Sequence, residues 1–295
     1  MKTQYWWRAM GIVALIVGLM AWPGLAMAAD ADLDGIDDSL EITGGAGLSF
    51  GGYSYAPCAS GALTTAQRNA CLSTGSKDIF VYLVTAASGG FLATNGMINM
   101  ATVPVDVSVL FQFITAPNTA NGTGKVNGLG VGVHVAVVNA APVSRAVGAL
   151  GQQAVVMTVD EATSAFAFGS TDQGTPSNTG RSTIWPAYIK TYLNNNIFGR
   201  VDTPTVWKKY IQRTASHELS HAAALTAQYN SSLGQYHYAT GSGVVMDDAV
   251  VCSSRRGGSC TIYTLYASGD NPCLLGLVSP STNPLQCAAL PPPIP

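Results

Sequence analysis

The residues of this chain best suited to chemistry are two histidines and a glutamate in the stretch His217-Glu218-Leu219-Ser220-His221. Histidines four positions apart lie on one face of an α-helix, one turn above each other. Their ring nitrogens can therefore bind a single ion, and neutral imidazole is a preferred ligand of Zn²⁺. Glu218 lies beside both rings, and its carboxylate could take a proton from an attacking water. The spacing predicts a metal site in which Glu218 is a general base.

The flanking residues predict the helix that this site needs, beginning at Thr203-Pro204, because proline is tolerated in the first helical turn. Its apolar stripe at helical spacing is Trp207, Ile211, Ala215, Leu219 and Ala222, and its polar residues off the stripe are Lys208, Lys209, Gln212 and Arg213. The chain holds only four His and three Glu, so chance rarely produces the motif. The alternative is an amphipathic helix with two solvated or core histidines.

A catalytic zinc site takes three protein ligands and leaves the fourth position to water. Glu218 is the last Glu of the chain, so a downstream Glu cannot be the third ligand. The downstream candidates are His237, Asp247, Asp248 and Asp270. We favour His237, because an imidazole matches the ligand preference of zinc. The alternative for His237 is a solvated loop residue between two tyrosines.

With Val245-Met246-Asp247, which looks like a Met-turn, these histidines make residues 77–250 resemble the zincin metallopeptidases, and among them the metzincins. The resemblance implies a secreted endopeptidase that hydrolyses peptide bonds with metal-activated water and Glu218 as base. Met246 would form an apolar floor under Zn²⁺, and Asp247 would orient a ligand or be its rival. Tyr236 or Tyr238 could hydrogen-bond the oxyanion.

The chain also departs from the metzincin pattern. That pattern places Gly three and His six residues after the second His, where this chain has Ala224 and Ala227. We therefore expect the helix to continue where metzincins turn sharply. No Tyr follows Met246 closely, so a tyrosine ligand is not expected.

Residues 1–28 resemble a secretory signal peptide, with Lys2 and Arg8 before an apolar run and Ala26-Met27-Ala28 as a cleavage site. The alternative is a retained membrane anchor. Cleavage predicts an extracellular or periplasmic protein without stable membrane association. In that compartment the six Cys predict disulfides, and proximity favours the pairs Cys58–Cys71, Cys252–Cys260 and Cys273–Cys287.

Residues 29–45 contain a candidate calcium-binding loop that fits D-x-D-x-D-G-x5-E at every specified position. Its predicted Ca²⁺ ligands are Asp30, Asp32, Asp34, the carbonyl of Ile36 and Glu41, with Gly35 allowing the sharp turn. There is no room for an entering helix after a cleaved signal, so the loop resembles a single copy of a thrombospondin type 3 calcium repeat. The alternative is a solvated acidic tail.

The pattern of strands followed by helices predicts an α+β fold, a twisted mixed β-sheet packed on the active-site helix. The predicted strands are Asp78–Thr85, Val103–Thr115, Val131–Asn139 and Ala154–Asp160, and short helices are expected near 64–72 and 184–198. His134 lies on its strand opposite the valines and is expected to pair or pack rather than bind metal. The stretches 119–130 and 169–180 are predicted loops. We expect a zincin-like domain over 46–250 and a disulfide-containing segment over 251–295.

The composition limits the function classes. Charged residues make up 10% of the chain and the net charge is −2, so no basic patch points to nucleic acid. A peptide or protein substrate is the expected partner, and the oligomeric state cannot be deduced. The competing functions are a calcium-stabilised extracellular binding protein with a non-proteolytic zinc site, and a zinc hydrolase of non-peptide amides or esters.

Overall fold

The computed structural model describes residues 30–59, 61, 63–147, 152–172, 180–196 and 204–223, and then short pieces at 229–230, 235–236, 245–246, 251–252, 260–262 and 264–267. The helices within these ranges are α1 (Asp38–Glu41), α2 (Thr65–Arg68), α3 (Gly90–Thr94), α4 (Gln112–Thr115), α5 (Pro186–Asn196) and α6 (Pro204–Ala222). The predicted signal segment, residues 1–28, lies outside these ranges.

A five-stranded mixed sheet organises the described part of the chain. Its strands are β4 (Asp78–Val84), β6 (Gly132–Val138), β9 (Val155–Val159), β10 (Gly169–Asp172) and β11 (Arg181–Ile184). The order is β10-β11-β9-β4-β6, and only β10 runs antiparallel to its neighbour. The architecture is therefore mixed α/β, which agrees with the predicted α+β class and with the expected mixed sheet beside the motif helix.

The central strand β4 separates two hydrophobic cores, because successive side chains of a strand point to opposite faces. Ile79, Val81 and Leu83 belong to the core that contains helix α6. Phe80 belongs to a second core with Ile36, Tyr55 and Ala136 on the other face. Asp78 lies two residues before Phe80 and therefore on the same face of β4, so its side chain points towards the N-terminal segment.

The N-terminal segment covers that second face. Strands β1 (Leu48–Phe50), β2 (Tyr53–Pro57) and β3 (Cys71–Leu72) form a small sheet, antiparallel between β1 and β2 and parallel between β2 and β3. The predicted disulfide Cys58–Cys71 is present. It ties the end of β2 to β3.

Helix α6 begins at Pro204, as predicted, and packs against β9, β10 and β11 and against α4 and α5. The apolar stripe is buried, but so are Gln212 and Arg213, which we expected on the polar face. The reason is that helices α4 and α5 cover the side of α6 that does not face the sheet. Gln112 on α4, for example, donates a hydrogen bond to Gln212 Oε1 at 2.6 Å.

Several predictions of local structure were wrong, and the smallest error concerns the predicted loop 119–130, in which Lys125–Val126 form the short strand β5. Residues 103–115 form turns and α4 instead of a strand, because Pro104 has no N–H to donate and the chain repeats with a helical period. The fully buried apolar residues there are Val107, Leu110, Phe111 and Ile114. Residues 169–172, expected in a loop, form β10. Their composition favours no strand, and antiparallel pairing with β11 supplies the order.

Four other predictions agree with the structure. Strands β4, β6 and β9 lie within the predicted ranges, and α5 occupies most of the expected helix near 184–198. Short two-residue strands complete the description: β5 (Lys125–Val126), β7 (Ala146–Val147), β8 (Gln152–Gln153), β12 (Tyr229–Asn230), β13 (Gln235–Tyr236), β14 (Val251–Cys252), β15 (Cys260–Thr261) and β16 (Tyr266–Ala267).

Two pairs of these strands bear on the C-terminal segment. Cys252 and Cys260 are backbone partners in the antiparallel pair β14–β15, a register that is compatible with the predicted disulfide between them. Strand β16 pairs with β5 and so joins the segment to the main domain. None of the helices within the described ranges is long and apolar enough to cross a membrane.

Candidate metal centre

The two histidines of the motif face each other on α6. His217 Nε2 and His221 Nε2 are 3.1 Å apart, and the ring centroids are 4.7 Å apart. Both side chains are buried, with exposed fractions of 8% and 9%. The helix therefore brings together two ring nitrogens at one protected point, as the four-residue spacing predicted.

The turn at Val245-Met246 fixes the orientation of His217. Its Nδ1 lies 2.8 Å from the carbonyl oxygen of Val245. A carbonyl can only accept, so Nδ1 carries the hydrogen and, in the neutral ring, Nε2 keeps its lone pair. This is the arrangement in which a metal-binding histidine is usually held by its second nitrogen. Val245 and Met246 are fully buried in the core that contains α6.

The geometry of the two rings suits a zinc ion. Two nitrogens bound to one tetrahedral Zn²⁺ at about 2.0–2.1 Å lie about 3.3 Å from each other. The observed separation of the two Nε2 atoms is 3.1 Å, and the Nε2 lone pair of His217 is available. These two residues fit as two of the three ligands that a catalytic site needs.

Glu218, which follows His217 in α6, is buried, with 5% of its surface exposed. Thr171 on β10 donates a hydrogen bond from Oγ1 to Glu218 Oε2 at 2.6 Å, and Ser182 Oγ on β11 lies 3.0 Å from that hydroxyl. Burial raises the pKa of the Glu218 carboxyl to about 7, while the hydrogen bond from Thr171 and the charge of Arg213 act in the opposite direction. A carboxyl with this pKa is well placed to exchange a proton near neutrality.

Strand β10 leaves no space beside Glu218. A Cβ atom at Gly169 would collide with the carboxylate and with Cγ of Glu218. The strand backbone therefore approaches the helix at Gly169, while Thr171, two residues along on the same face of the strand, reaches the carboxylate. Neither contact was predicted, because residues 169–180 were expected to form a loop.

The remaining predicted zinc-site residues lie outside the described residues. These are His237, Asp247, Asp248 and Asp270, with Tyr238 as one proposed oxyanion donor. The other, Tyr236, is placed by its backbone on β13. Helix α6 ends at Ala222 and Ala223 forms a turn, although we expected the helix to continue further. Ala224 and Ala227 lie outside the described residues.

The loop of residues 30–41 brings its predicted carboxylates together. Ligand atoms of Asp30, Asp32 and Asp34 lie within 4.8 Å of one another, and the same holds for Asp34, Glu41 and Asp78. Ile36, whose carbonyl was the other predicted ligand, is buried next to them. Asp78 was not among the predicted site residues, because it is 37 positions beyond Glu41 and opens a strand.

His134 pairs with Asp78, as the expected pairing or packing role predicted. It is fully buried, with Nε2 2.9 Å from Asp78 Oδ1 and Nδ1 3.2 Å from the carbonyl oxygen of Asn69. A backbone carbonyl accepts only, so Nδ1 carries a hydrogen. His134 therefore helps to hold Asp78 in place.

The sequence showed the helical motif but missed Thr171, Gly169 and Asp78, which come close only through the sheet. For Gly169 and Thr171, the available signal was their spacing of two, which places both on one face of a strand. For Asp78, it was the position of a carboxylate at the start of a strongly apolar strand. Comparison with known proteins gives no further guide: the chain matches no protein-family model, no curated protein and no solved structure.

Proposed function

We propose that this protein is a secreted zinc-dependent hydrolase of the zincin type, acting on peptide bonds. The observation that carries the proposal is the pair of buried ring nitrogens 3.1 Å apart, with His217 oriented by the Val245 carbonyl and the buried Glu218 next to it in the helix. A helix that buried two histidines only for packing would not need a buried carboxylate next to them.

His217 and His221 would bind the ion, and His237 is the favoured third ligand. Zn²⁺ in such a site would polarise a substrate carbonyl and lower the pKa of water towards about 7. Glu218 would take the proton from the attacking water and deliver it to the leaving amine. Thr171 would hold the Glu218 carboxylate in one rotamer during both transfers.

The burial of the site supports this division of roles. His217, Glu218 and His221 are all less than a tenth exposed, so the electrostatic effects of an ion and a base would be stronger than in water. The Met246 side chain lies in the same core as α6, as a floor under the metal would require. Substrate preference stays unassigned.

The test measures metal content and hydrolysis on the same preparations of the secreted chain. We expect about one zinc per wild-type chain and cleavage of a broad peptide library. His221→Ala and His237→Ala should lose zinc and activity together, because each removes one of three protein ligands.

Asp247→Asn is the control for the rival ligand and should retain zinc. If His237→Ala retains its zinc and Asp247→Asn loses it, the third ligand is Asp247 and not His237. Zinc binding without cleavage of any library peptide would contradict the peptidase proposal. It would leave the calcium-stabilised binding protein or the hydrolase of non-peptide amides as the remaining explanations.

A further inference from the structure

A cluster of acidic residues lies at the start of β4, on the face of the sheet opposite helix α6. Asp34, Glu41 and Asp78 have carboxylate oxygens within 4.8 Å of one another, and Asp34 also shares such a group with Asp30 and Asp32. Asp34 and Asp78 are fully buried, and Glu41 is 2% exposed. The buried Lys77 lies near these residues, and its single positive charge does not balance a group of five carboxylates.

Glu41 is an independent sign that something binds here. Among the residues that the structure describes, no N–H group donates to either of its buried oxygens, although they approach the Asp78 carboxylate, and both oxygens of Asp32 also lack a hydrogen-bond partner. A buried, unpartnered carboxylate is strongly destabilising, and ordinary packing gives no reason to place two of them together. A cation among these oxygens would remove the cost.

Asp78 is held firmly in this group from the sheet side. Its N–H donates to Asp34 Oδ2 at 2.7 Å, and Gln152 Nε2 donates to its carbonyl at 2.6 Å. Its carboxylate accepts from Ser73 N at 3.0 Å and pairs with His134 at 2.9 Å. A carboxylate oxygen has two lone pairs, so Asp78 can bind an ion while it accepts these hydrogen bonds, as ligating carboxylates commonly do.

The loop by itself lacks one contribution that Asp78 could supply. In a twelve-residue calcium loop the ninth position often provides a ligand through water. Here that position is Asp38, whose carboxylate belongs to neither group of clustered ligand atoms, whereas the carboxylate of Asp78 belongs to one of them. We propose that Asp78, outside the loop, completes a Ca²⁺ site with Asp32, Asp34 and Glu41, so that the ion fastens the N-terminal segment to the central strand of the sheet.

Calcium is the cation that this oxygen set fits best. Ca²⁺ takes six to eight oxygen ligands in a flexible geometry, including bidentate carboxylates, whereas Mg²⁺ usually keeps several waters and binds one or two carboxylates. Here several carboxylates converge in a mostly buried place. The site stands on observations separate from the zinc centre, so it does not depend on the proposed hydrolase.

The first experiment is a calorimetric titration of Ca²⁺ into the chelator-treated secreted chain. Asp78→Asn should weaken Ca²⁺ binding by about tenfold or more, because it removes a charged ligand but keeps the size of the side chain. Asp37→Asn is the matched control. Asp37 lies in the same loop but caps α1 by accepting from Ser39 N, which Asn can also do, so its affinity should match the wild type.

A second measurement uses the unaltered protein, in case Asp78→Asn does not fold. Removing Ca²⁺ should speed hydrogen exchange in residues 30–42 and also in residues 73–80, because the ion would join both segments. Faster exchange confined to 30–42, with equal affinities for Asp78→Asn and Asp37→Asn, would show that the loop binds alone and would overturn the role of Asp78. Absence of any Ca²⁺ binding at millimolar concentration would overturn the site altogether.

Discussion

His217 and Glu218 are adjacent in sequence, but different parts of the chain position their side chains. The helix sets the spacing of the two rings, the turn at Val245 fixes the tautomer of His217, and Thr171 on β10 holds the carboxylate of Glu218. Only the first of these could be deduced from sequence, since the helical repeat is local. The other two contacts join residues 28 and 47 positions apart.

The Thr171 hydroxyl provides the first prediction. Thr171→Val keeps the shape of the side chain but leaves Glu218 without this donor, and a hydrogen bond to a charged group contributes about 1.5–3 kcal/mol. We expect turnover of a peptide substrate to fall about tenfold or more while zinc content stays at the wild-type level. The measurement is steady-state kinetics alongside metal analysis.

The control for this variant is Thr183→Val on β11. Thr183 follows Ser182, so its side chain points to the opposite face of the strand from the Ser182–Thr171 contact. It should leave turnover unchanged. Equal turnover in Thr171→Val and Thr183→Val would mean that the hydroxyl does not position the base.

The elements differ in how well the sequence predicted them. Strands β4, β6 and β9 and helices α5 and α6 have strong local signals, either β-branched runs or apolar residues at helical spacing. Strand β10 has the sequence Gly-Ser-Thr-Asp and exists because β11 pairs with it and α6 packs on it. The element that completes the candidate site is thus the one without a local signal of its own.

The close approach of β10 to α6 gives a prediction at this scale. Gly169→Ala would push a methyl group into the Glu218 side chain, and such overpacking costs about 1–3 kcal/mol. The midpoint of thermal unfolding should therefore fall by several degrees. Gly75→Ala is the control, because a Cβ there meets only the Ser73 hydroxyl at ordinary contact distance. Equal unfolding midpoints for the two variants would show that β10 does not press on the helix.

At the scale of the whole molecule, the sheet separates two sites with different chemistry. Helix α6 with its histidines packs on one face, and the acidic N-terminal segment packs on the other. The sequence contained both motifs but could not show that they lie on opposite faces of β4, because that depends on which residues of the strand point each way. Asp78 belongs to the N-terminal side through the alternation of a strand.

The disulfide Cys58–Cys71 makes the N-terminal layer part of this assembly and supplies a prediction about stability. It closes a loop with a sequence separation of 13, for which the loss of chain entropy corresponds to about 3 kcal/mol. The double variant Cys58→Ser, Cys71→Ser should lower the free energy of unfolding by about that amount in denaturant titrations. The substitution is preferable to a reductant, which would also act on the other cysteines. An unchanged midpoint would show that the bond does not stabilise the fold.

The most direct test of the central claim compares zinc-loaded wild type with zinc-loaded Glu218→Ala on one peptide substrate. Glu218 is proposed as the base and not as a ligand, so both proteins should hold about one zinc per chain. The rate of hydrolysis should nevertheless fall by about 100-fold or more in the variant, because general-base catalysis contributes roughly that factor. Hydrolysis by Glu218→Ala at the wild-type rate, or a zinc-loaded wild type that cleaves no peptide, would contradict the account.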